Sequence, residues 1–190
     1  MKKIKHTLLS DTKWLNLVEV EAAIRGVVKK WIYCSRRGEF GAAITAPDAV
    51  VIVPFVKHPQ GTRLLLVREY RMPINQAIIA LPAGLMDDGE TAVSTAEREL
   101  LEETGYAVVE ILDQSPPTLF SSAGLTDECF QFVFVEAVHR GPPALEASEV
   151  IEVVPVTVED LRVLMEHSQA FCGRTWPLCY QYLQKNGFPI

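Results

Sequence analysis

The chain has 190 residues, of which 48% are hydrophobic and 22% are charged, and its formal net charge is −6. These proportions are typical of one folded domain with a packed core, and they exclude a largely disordered chain. The negative charge gives no general attraction to nucleic acid or to an anionic membrane, so we expect neither as a partner.

The cysteines and the N-terminal segment favour a cytoplasmic protein. Cys34, Cys129, Cys172 and Cys179 show none of the CxxC or Cys/His spacings of a zinc site. We interpret them as core thiols in a reducing compartment. The basic N-terminal segment has too short an apolar run for a signal peptide, and no stretch approaches the roughly 20 apolar residues of a membrane helix.

Strand patterns dominate the first half of the chain. Two β-branched or aromatic runs flank a turn at Gly26 and predict an N-terminal β-hairpin. Two further runs, rich in valine and leucine, are separated by the turn sequence KHPQGT and predict a second hairpin. A short apolar run then ends at Pro82 and Gly84. The predicted strands are 14–20, 27–33, 49–56 and 63–70, and the short apolar run is 77–84.

One predicted helix interrupts the strands. Alanine and leucine fill residues 91–104. Gly89 and Glu90 precede this segment, and Gly105 supplies a C-terminal cap. Further strands and two more helices follow, so the order of elements favours an α/β or α+β fold with a mixed sheet rather than a doubly wound parallel sheet. The later strands are 106–112, 129–138 and 150–156, and the later helices are 158–167 and 177–185.

The helix 91–104 carries glutamates beside its apolar face. At about 100° per residue, Glu103 falls inside the angular range of the apolar stripe, Glu99 lies at its edge and Arg98 points nearly opposite. Glutamates of a solvated face would instead lie opposite the stripe. Like charges four residues apart also destabilise a helix by roughly 0.2–0.5 kcal/mol. The apolar stripe consists of Ala92, Val93, Ala96 and Leu100.

These glutamates need a compensating cation. Partial burial raises the pKa of a carboxylate unless positive charge is close. No lysine lies between Gly84 and Tyr106. A hard divalent metal such as Mg²⁺ favours carboxylate and carbonyl oxygens, and we therefore predict a magnesium site at this helix, with Mn²⁺ as a substitute.

The same segment resembles the Nudix box of the Nudix hydrolase superfamily. All seven specified glycine, arginine and glutamate positions match at the family's spacing, and only Tyr106 departs, because the last position is usually aliphatic. The resemblance implies an α/β/α sandwich with a mixed sheet, preceded here by the N-terminal β-hairpin. The seven matching positions are Gly84, Glu90, Arg98, Glu99, Glu102, Glu103 and Gly105.

The resemblance also implies catalytic roles for these residues. Arg98 and Glu90 would form the salt bridge that orients the loop before the helix, and Glu102 would complete the acidic cluster. The reaction would be hydrolysis of a nucleoside diphosphate linked to another group, in which bound Mg²⁺ stabilises charge and activates water. The implied metal ligands are Glu99, Glu102, Glu103 and the backbone carbonyl of Ala83.

Sequence outside the box resembles the ADP-ribose pyrophosphatase subfamily. LVREYR is similar to that group's LVxQYR pattern, with Glu69 in place of the usual glutamine, and residues 122–124 read SAG where SPG is usual. The implied reaction converts ADP-ribose into AMP and ribose 5-phosphate. GDP-mannose and ADP-glucose are alternative substrates. A non-catalytic module that senses a nucleotide sugar is disfavoured, because all the box glutamates are present.

The resemblance implies two regions and a homodimer. Residues 1–45 would form an extension for dimerisation and base binding, and residues 46–190 the Nudix domain. Trp14 and Trp31 fall where the subfamily places tryptophans that stack on the base, partly across the dimer interface. The plainer alternative is that both tryptophans are core residues of the hairpin. The other implied substrate-binding residues are Arg36 and Arg71, for the phosphates, with Gly124 and Glu128.

The catalytic base is implied to be a glutamate on a loop after the box. Glu149, just before the predicted strand 150–156, occupies the best-matching position. Glu146, Glu152 and Glu128 are the alternatives, since acidic residues are common in solvated loops.

Overall fold

The computed structural model describes residues 2–167 and 170–187. This part of the chain contains eleven β-strands, three α-helices and one short 3-10 turn at Met72–Ile74. Within it, no helix is both long and apolar enough to cross a membrane.

The chain folds into two compact units. The first unit joins the N-terminal strands to a later loop segment, and the second contains the remaining strands and the helices. The domain boundary predicted between residues 45 and 46 stays a prediction. In the structure, a later loop segment groups with the N-terminal strands. The first unit comprises Met1–Asp48 and Pro117–Phe130, and the second comprises Ala49–Pro116 and Gln131–Ile190.

The first unit is built on a three-stranded antiparallel sheet of β1 (Lys2–Leu8), β2 (Asn16–Ile24) and β3 (Val27–Ser35). Arg25 and Gly26 connect β2 to β3, and both have left-handed φ angles, of 51° and 82°. A type I′ turn has positive φ at both central residues, and its twist matches the twist of the two strands that it connects. The predicted hairpin is therefore confirmed, whereas β1 was missed because its lysines obscure the strand pattern.

A second chain segment lies alongside β3 in the first unit. The backbone N–H of Cys34 donates to the carbonyl of Leu125 (2.8 Å), and Cys34 forms a parallel bridge with Thr126. The short strand β9 (Leu119–Phe120) pairs with the first two residues of β10 (Cys129–His139). Most of the loop predicted at residues 113–128, from Pro117 onward, thus belongs to this unit and includes a strand.

The second unit is built on a larger sheet with the strand order β11-β5-β4-β10-β8, in which β6 also pairs with β5 and β7 with β4. The predicted run 77–84 forms two separate strands, because Pro82 interrupts it. The strands are β4 (Ala49–Val56), β5 (Arg63–Arg71), β6 (Gln76–Ala80), β7 (Ala83–Leu85), β8 (Tyr106–Gln114) and β11 (Ile151–Val156).

Helix α1 (Ala92–Thr104) covers one face of this sheet. Its N-terminal cap is Thr91, whose side chain accepts a hydrogen bond from the Ser94 N–H, and its C-terminal cap is Gly105, with φ of 74°. Helix and sheet share one hydrophobic core, as the predicted apolar stripe requires. The buried residues of this core are Val50, Ile52, Leu65, Ala96, Leu100, Val133, Val135 and Ala137.

Two further helices, α2 (Val158–His167) and α3 (Thr175–Lys185), complete the second unit. Phe55 lies on the opposite face of β4 from Ile52, and its ring centroid is 5.8 Å from that of Tyr182 in α3. Helices therefore cover both faces of the sheet. The predicted α/β (α+β) fold, with helices on either side of a sheet, is confirmed.

Strand β5 presents charged side chains at the end of its helix-facing side. Leu65 packs in the same core as Leu100 of α1, so this face of β5 lies toward the helix. The register with β11 continues without a bulge to Glu69, which by alternation shares the face of Leu65. Glu69 is accordingly buried, whereas its neighbour Arg68 is exposed.

Candidate active site

Two glutamates of α1 lie against the backbone of β7. Glu103 is only 7% exposed, and its Oε2 accepts a hydrogen bond from the Ala83 N–H (3.2 Å). The Glu99 carboxylate fills the space beside Gly84, where an added Cβ would come within 1.9 Å of Glu99 Cδ. Gly84 is therefore the residue that admits Glu99 to the strand. The two carboxylates thus lie beside adjacent residues of β7, as expected from their positions next to the apolar stripe of the helix.

Arg98 connects the helix to the loop before it. Its Nε and Nη2 donate to the two carboxylate oxygens of Glu90, each at 2.9 Å. Its Nη1 donates to Glu99 (2.7 Å) and Glu102 (3.2 Å), and Nη2 also reaches the Leu85 carbonyl (3.1 Å). Such a paired contact fixes both distance and orientation. The orienting role that the sequence suggests for Arg98 and Glu90 stays a prediction.

The carboxylates of this site differ strongly in pKa. Hydrogen bonds from Arg98, from the Asp87 N–H and from Thr95 lower the pKa of Glu90 to about 2. Burial raises the pKa of Glu99, although Arg98 opposes the rise. Burial and the neighbouring charge of Glu99 raise the pKa of Glu103 to about 8. Negative charge at Glu103 is thus stabilised much less than at Glu90.

Two more glutamates contribute negative charge to this region. The charges of Glu69 and Glu149 both act on Glu103, and that of Glu149 also acts on Glu99. The register explains the placement: Ile151, two residues after Glu149, pairs with Glu69, and the Tyr70 N–H donates to the Val150 carbonyl. The loop before β11 therefore reaches the end of β5 where Glu69 lies.

The residues predicted as alternatives to Glu149 lie in other surroundings. Glu152 pairs in register with Arg68, on the face of β5 opposite Glu69, and forms an ion pair of 3.4 Å with it. The backbone N–H of Glu146 donates to Glu149 Oε2 (2.9 Å), which holds the Glu149 side chain over its own loop. Glu128 belongs to the first unit.

Arg71, a predicted phosphate contact, is bonded to Glu69. Its Nη2 lies 2.7 Å from Glu69 Oε2, and the two residues share one face of β5 because they are two positions apart. The Arg71 side chain remains 50% exposed, whereas that of Glu69 is 11% exposed. Arg71 therefore joins a buried carboxylate to the surface of the second unit.

The remaining predicted binding residues lie in the first unit. Trp31 Nε1 donates to the Gly124 carbonyl (2.8 Å), and Arg36 Nε donates to Glu128 Oε2 (3.1 Å). Trp31, Tyr33 and Phe120 line a cavity of about 270 Å³. Both tryptophans of this unit are exposed, Trp31 by 60% and Trp14 by 68%. The plainer alternative, that they are core residues of the hairpin, is wrong.

Sequence reasoning missed two residues of the site in the second unit. Thr95 is fully buried and its hydroxyl donates to Glu90 Oε2 (2.8 Å). Glu69 was noticed only as a replacement of glutamine. Alternation along the strand places Glu69 on the same face as Leu65 and Val67, which is the only signal in the sequence, but it does not tell which element covers that face.

Comparison with known proteins identifies the family. A family model described as the NUDIX domain matches residues 46–172, which is more than half of the chain. The chain therefore belongs to the NUDIX family, and the prediction of a Nudix hydrolase is confirmed. A crystal structure of an ADP compounds hydrolase has the same fold, with a TM-score of 0.66 over 97% of this chain and 95% of that one, at 17% identity.

Individual relatives include enzymes named ADP-ribose pyrophosphatase. The Bacillus subtilis protein of that name is 31% identical, and the match spans 68% of this chain and 74% of the relative. The Saccharomyces cerevisiae protein of the same name is 33% identical, and the match spans 71% of this chain but only 57% of the relative. The predicted resemblance to this subfamily is thus confirmed.

The donor atoms at α1 and β7 fit a divalent metal ion, which Nudix hydrolases generally use. Glu99 and Glu103 place carboxylate oxygens beside the backbone of Ala83, and hard cations prefer such oxygens. Among the residues that the structure describes, no three acidic, cysteine or histidine side chains converge on one point. Two of the predicted ligands, Glu99 and Glu102, are instead paired with Arg98 in this structure. The four predicted ligands stay a prediction.

We expect Glu103→Gln to reduce the pH sensitivity of the metal-free protein. Glu103 has an ordinary pKa of 4.5 but a folded-state pKa of about 8, so the folded chain retains a proton that the unfolded chain loses. Wild-type stability therefore falls as pH rises through this window. In the variant, the fall in unfolding free energy between pH ~5 and pH ~8 should be smaller by on the order of 1–4 kcal/mol.

Urea denaturation in the presence of a chelator measures this difference. Glu97→Gln, at an exposed position of the same helix, serves as the control and should follow the wild type. Equal pH dependence for the wild type and Glu103→Gln would contradict the assignment of a buried, proton-retaining carboxyl group.

Proposed function

We propose that this protein hydrolyses the diphosphate bond of a nucleoside diphosphate sugar, with ADP-ribose as its preferred substrate and AMP and ribose 5-phosphate as products. The relatives named ADP-ribose pyrophosphatase support the substrate class. The observation that carries the proposal is the pair of carboxylates, Glu99 and Glu103, placed against β7, of which Glu99 shares Arg98 with two other glutamates and Glu103 has no cation partner among the described residues. Such a site favours a cation that can bridge to an anionic diphosphate.

Mg²⁺ is the proposed cation, with Glu99, Glu102, Glu103 and the Ala83 carbonyl as its ligands. When bound, it would supply positive charge against the diphosphate oxygens and lower the pKa of a water molecule. The chain itself contributes rigidity, because Arg98 and Glu90 fix the loop that precedes the helix. Mn²⁺ is the proposed substitute.

Glu149 is the proposed general base. It is an exposed carboxylate whose charge acts on both Glu99 and Glu103, so it lies close to the site without being buried in it. In the proposed step it accepts a proton from the attacking water as the new oxygen–phosphorus bond forms. The bond between that phosphorus and the bridging oxygen breaks, so the attacked phosphorus and the bridging oxygen end in two phosphate monoesters, AMP and ribose 5-phosphate. Glu152 is unsuited because its side chain, on β11, lies on the face of the sheet that carries Arg68, and Glu69 lies on the opposite face.

The first unit is proposed to bind the nucleoside. The Trp31 indole, held by the Gly124 carbonyl, offers an exposed flat surface beside an apolar cavity, and bases stack on such surfaces with little dependence on their identity. Trp14 is proposed to contribute a second stacking face, and Arg36 and Arg71 to contact the phosphates. Glu128 would then have to share Arg36 with the substrate.

A homodimer is proposed because the N-terminal sheet leaves large apolar side chains uncovered. Val27 of β3 pairs in register with Ile24 of β2, so the two side chains share one face of the sheet, and they are 56% and 51% exposed. Exposed apolar side chains that lie together in this way often mark an interaction surface, and most homo-oligomers are two-fold symmetric dimers.

Steady-state hydrolysis with Mg²⁺ tests the substrate and the base together. We expect ADP-ribose to give a higher kcat/KM than ADP-glucose or GDP-mannose. Glu149→Gln should lower kcat by about 10²- to 10⁴-fold and leave KM nearly unchanged, because a general base acts in the transition state. Glu146→Gln, in the same loop, is the matched control and should retain activity. Binding of ADP-ribose without turnover would support the sensor alternative and overturn the proposal.

Trp31→Ala tests base stacking. Stacking on the remote nucleoside is similar in the ground and transition states, so its loss should raise KM with little change in kcat. Stacking is worth about 1–3 kcal/mol per base, which corresponds to an increase of about 5- to 150-fold. Trp176→Ala, which removes an exposed tryptophan of α3, should leave KM unchanged. A loss confined to kcat in Trp31→Ala would show that stacking is not its role.

Light scattering at assay concentration tests the homodimer. We expect a mass near twice 21.2 kDa. Val27→Lys, which puts a charge beside Ile24 on the exposed apolar part of the N-terminal sheet, should shift the protein toward the monomer while the second unit stays folded. A fully active monomeric wild type would be incompatible with a dimer that completes the site.

A further inference from the structure

Glu69 is a buried charge at the edge of the proposed catalytic site, outside the Nudix box. It is 8% exposed, and it follows Leu65 on the face of β5 that packs toward α1. Glu103 lies in the same helical stripe as Leu100, which belongs to that core. The two carboxylates therefore approach the same space from the strand and from the helix, and the charge of Glu69 does act on Glu103.

Positive charge is distributed unevenly around these carboxylates. Arg98 forms ion pairs with Glu90 of the preceding loop and with Glu99 and Glu102 of α1. In the described part of the chain, no lysine, arginine or histidine lies within ion-pairing distance of Glu103. Glu69 has Arg71 at 2.7 Å. Of the two buried carboxylates, therefore, Glu69 has a cation partner and Glu103 has none among the described residues.

Arg71 has two competing uses under the proposed function. Half of its side chain is exposed, which allows it to reach an anionic ligand, but its Nη2 is bound to Glu69. A cation at the glutamates of α1 would attract the Glu69 carboxylate and weaken its hold on Arg71. A diphosphate that binds Arg71 would likewise leave the charge of Glu69 available to the cation. These two effects are reciprocal, as thermodynamic linkage requires.

We propose that Glu69 couples the cation site to the diphosphate site: its charge strengthens binding of a divalent cation at Glu99 and Glu103, and its ion pair restrains Arg71 until that cation is bound. Glu69 acts here as a positioning residue. The part of the inference that concerns the cation rests on the family and on the structure, and only the part that concerns Arg71 and the diphosphate rests on the proposed function.

Mn²⁺ binding to the substrate-free protein, measured by calorimetry, tests the first part. Glu69→Gln keeps the size of the side chain and removes its charge, so it should weaken Mn²⁺ binding by about 3- to 30-fold. Arg71→Met removes the competing guanidinium and should strengthen Mn²⁺ binding. Glu136→Gln is the matched control, because Glu136 is also a partly buried strand glutamate with one cation partner, Lys57 at 2.5 Å. It should bind Mn²⁺ like the wild type.

Several outcomes would overturn this proposal. Unchanged Mn²⁺ affinity in Glu69→Gln would reduce Glu69 to a structural partner of Arg71. Weaker Mn²⁺ binding in Arg71→Met would show that the arginine supports the cation site instead of competing with it. If Glu69→Gln failed to fold, as judged by circular dichroism, the Arg71→Met measurement would decide alone.

Binding of α,β-methylene-ADP tests the coupling to the diphosphate. We expect Mn²⁺ to tighten binding of this non-hydrolysable diphosphate in the wild type and to do so by a smaller factor in Glu69→Gln. Equal factors in the two proteins would overturn the coupling. Because the Mn²⁺ titrations contain no substrate, their result stands even if ADP-ribose proves not to be the substrate, so failure of the proposed function is distinguishable from failure of this inference.

Discussion

The five hydrogen bonds of Arg98 are the interaction on which the site depends. One planar guanidinium group binds both oxygens of Glu90, one oxygen each of Glu99 and Glu102, and the Leu85 carbonyl. A lysine ammonium has three donors on a flexible stem and cannot hold this arrangement. Through these contacts the loop before α1, the first turns of the helix and two of its glutamates keep fixed relative positions.

The position of Arg98 on the helix also determines where positive charge is absent. Because Arg98 points away from the apolar stripe, it compensates the carboxylates on the loop side and leaves the sheet side to Glu103 and Glu69. Burial there is maintained by the surrounding core, in which Leu100 and Leu65 are fully buried. Packing of the second unit therefore holds two carboxylates where, without a cation, at least one is more stable protonated. A cation bound beside these carboxylates would stabilise their ionised forms.

Local patterns in the sequence were sufficient for most of the second unit. The helix predicted at 91–104 is observed at Ala92–Thr104, because cap residues and an apolar stripe act within a few positions of one another. Glu103 was placed correctly beside the stripe for the same reason. Strand β1 was missed because its lysines interrupt the alternation that identifies a strand. Pairing with β2 stabilises it, and that pairing cannot be read from the local sequence.

Contacts between distant segments were beyond the reach of these patterns. The bond between Trp31 and Gly124 joins residues 93 positions apart, and no periodicity relates them. Glu69 shows a subtler limit. The alternation in β5 could be read from the sequence, but alternation alone does not tell which face of the strand the acidic helix covers. Only the core shared by Leu65 and Leu100 settles that question.

Glutamate in place of glutamine at position 69 changes charge while keeping shape. A glutamine there could accept a hydrogen bond from Arg71 through its amide oxygen without repelling Glu103. Glutamate binds Arg71 more strongly, since both partners are charged, but it adds a second negative group beside Glu103. Arg71 offsets part of that repulsion in the metal-free protein, and a divalent cation would offset more of it. Under the proposal, Glu69 therefore links Arg71 to the cation site through one side chain. With a neutral amide at this position, the two sites would depend much less on each other.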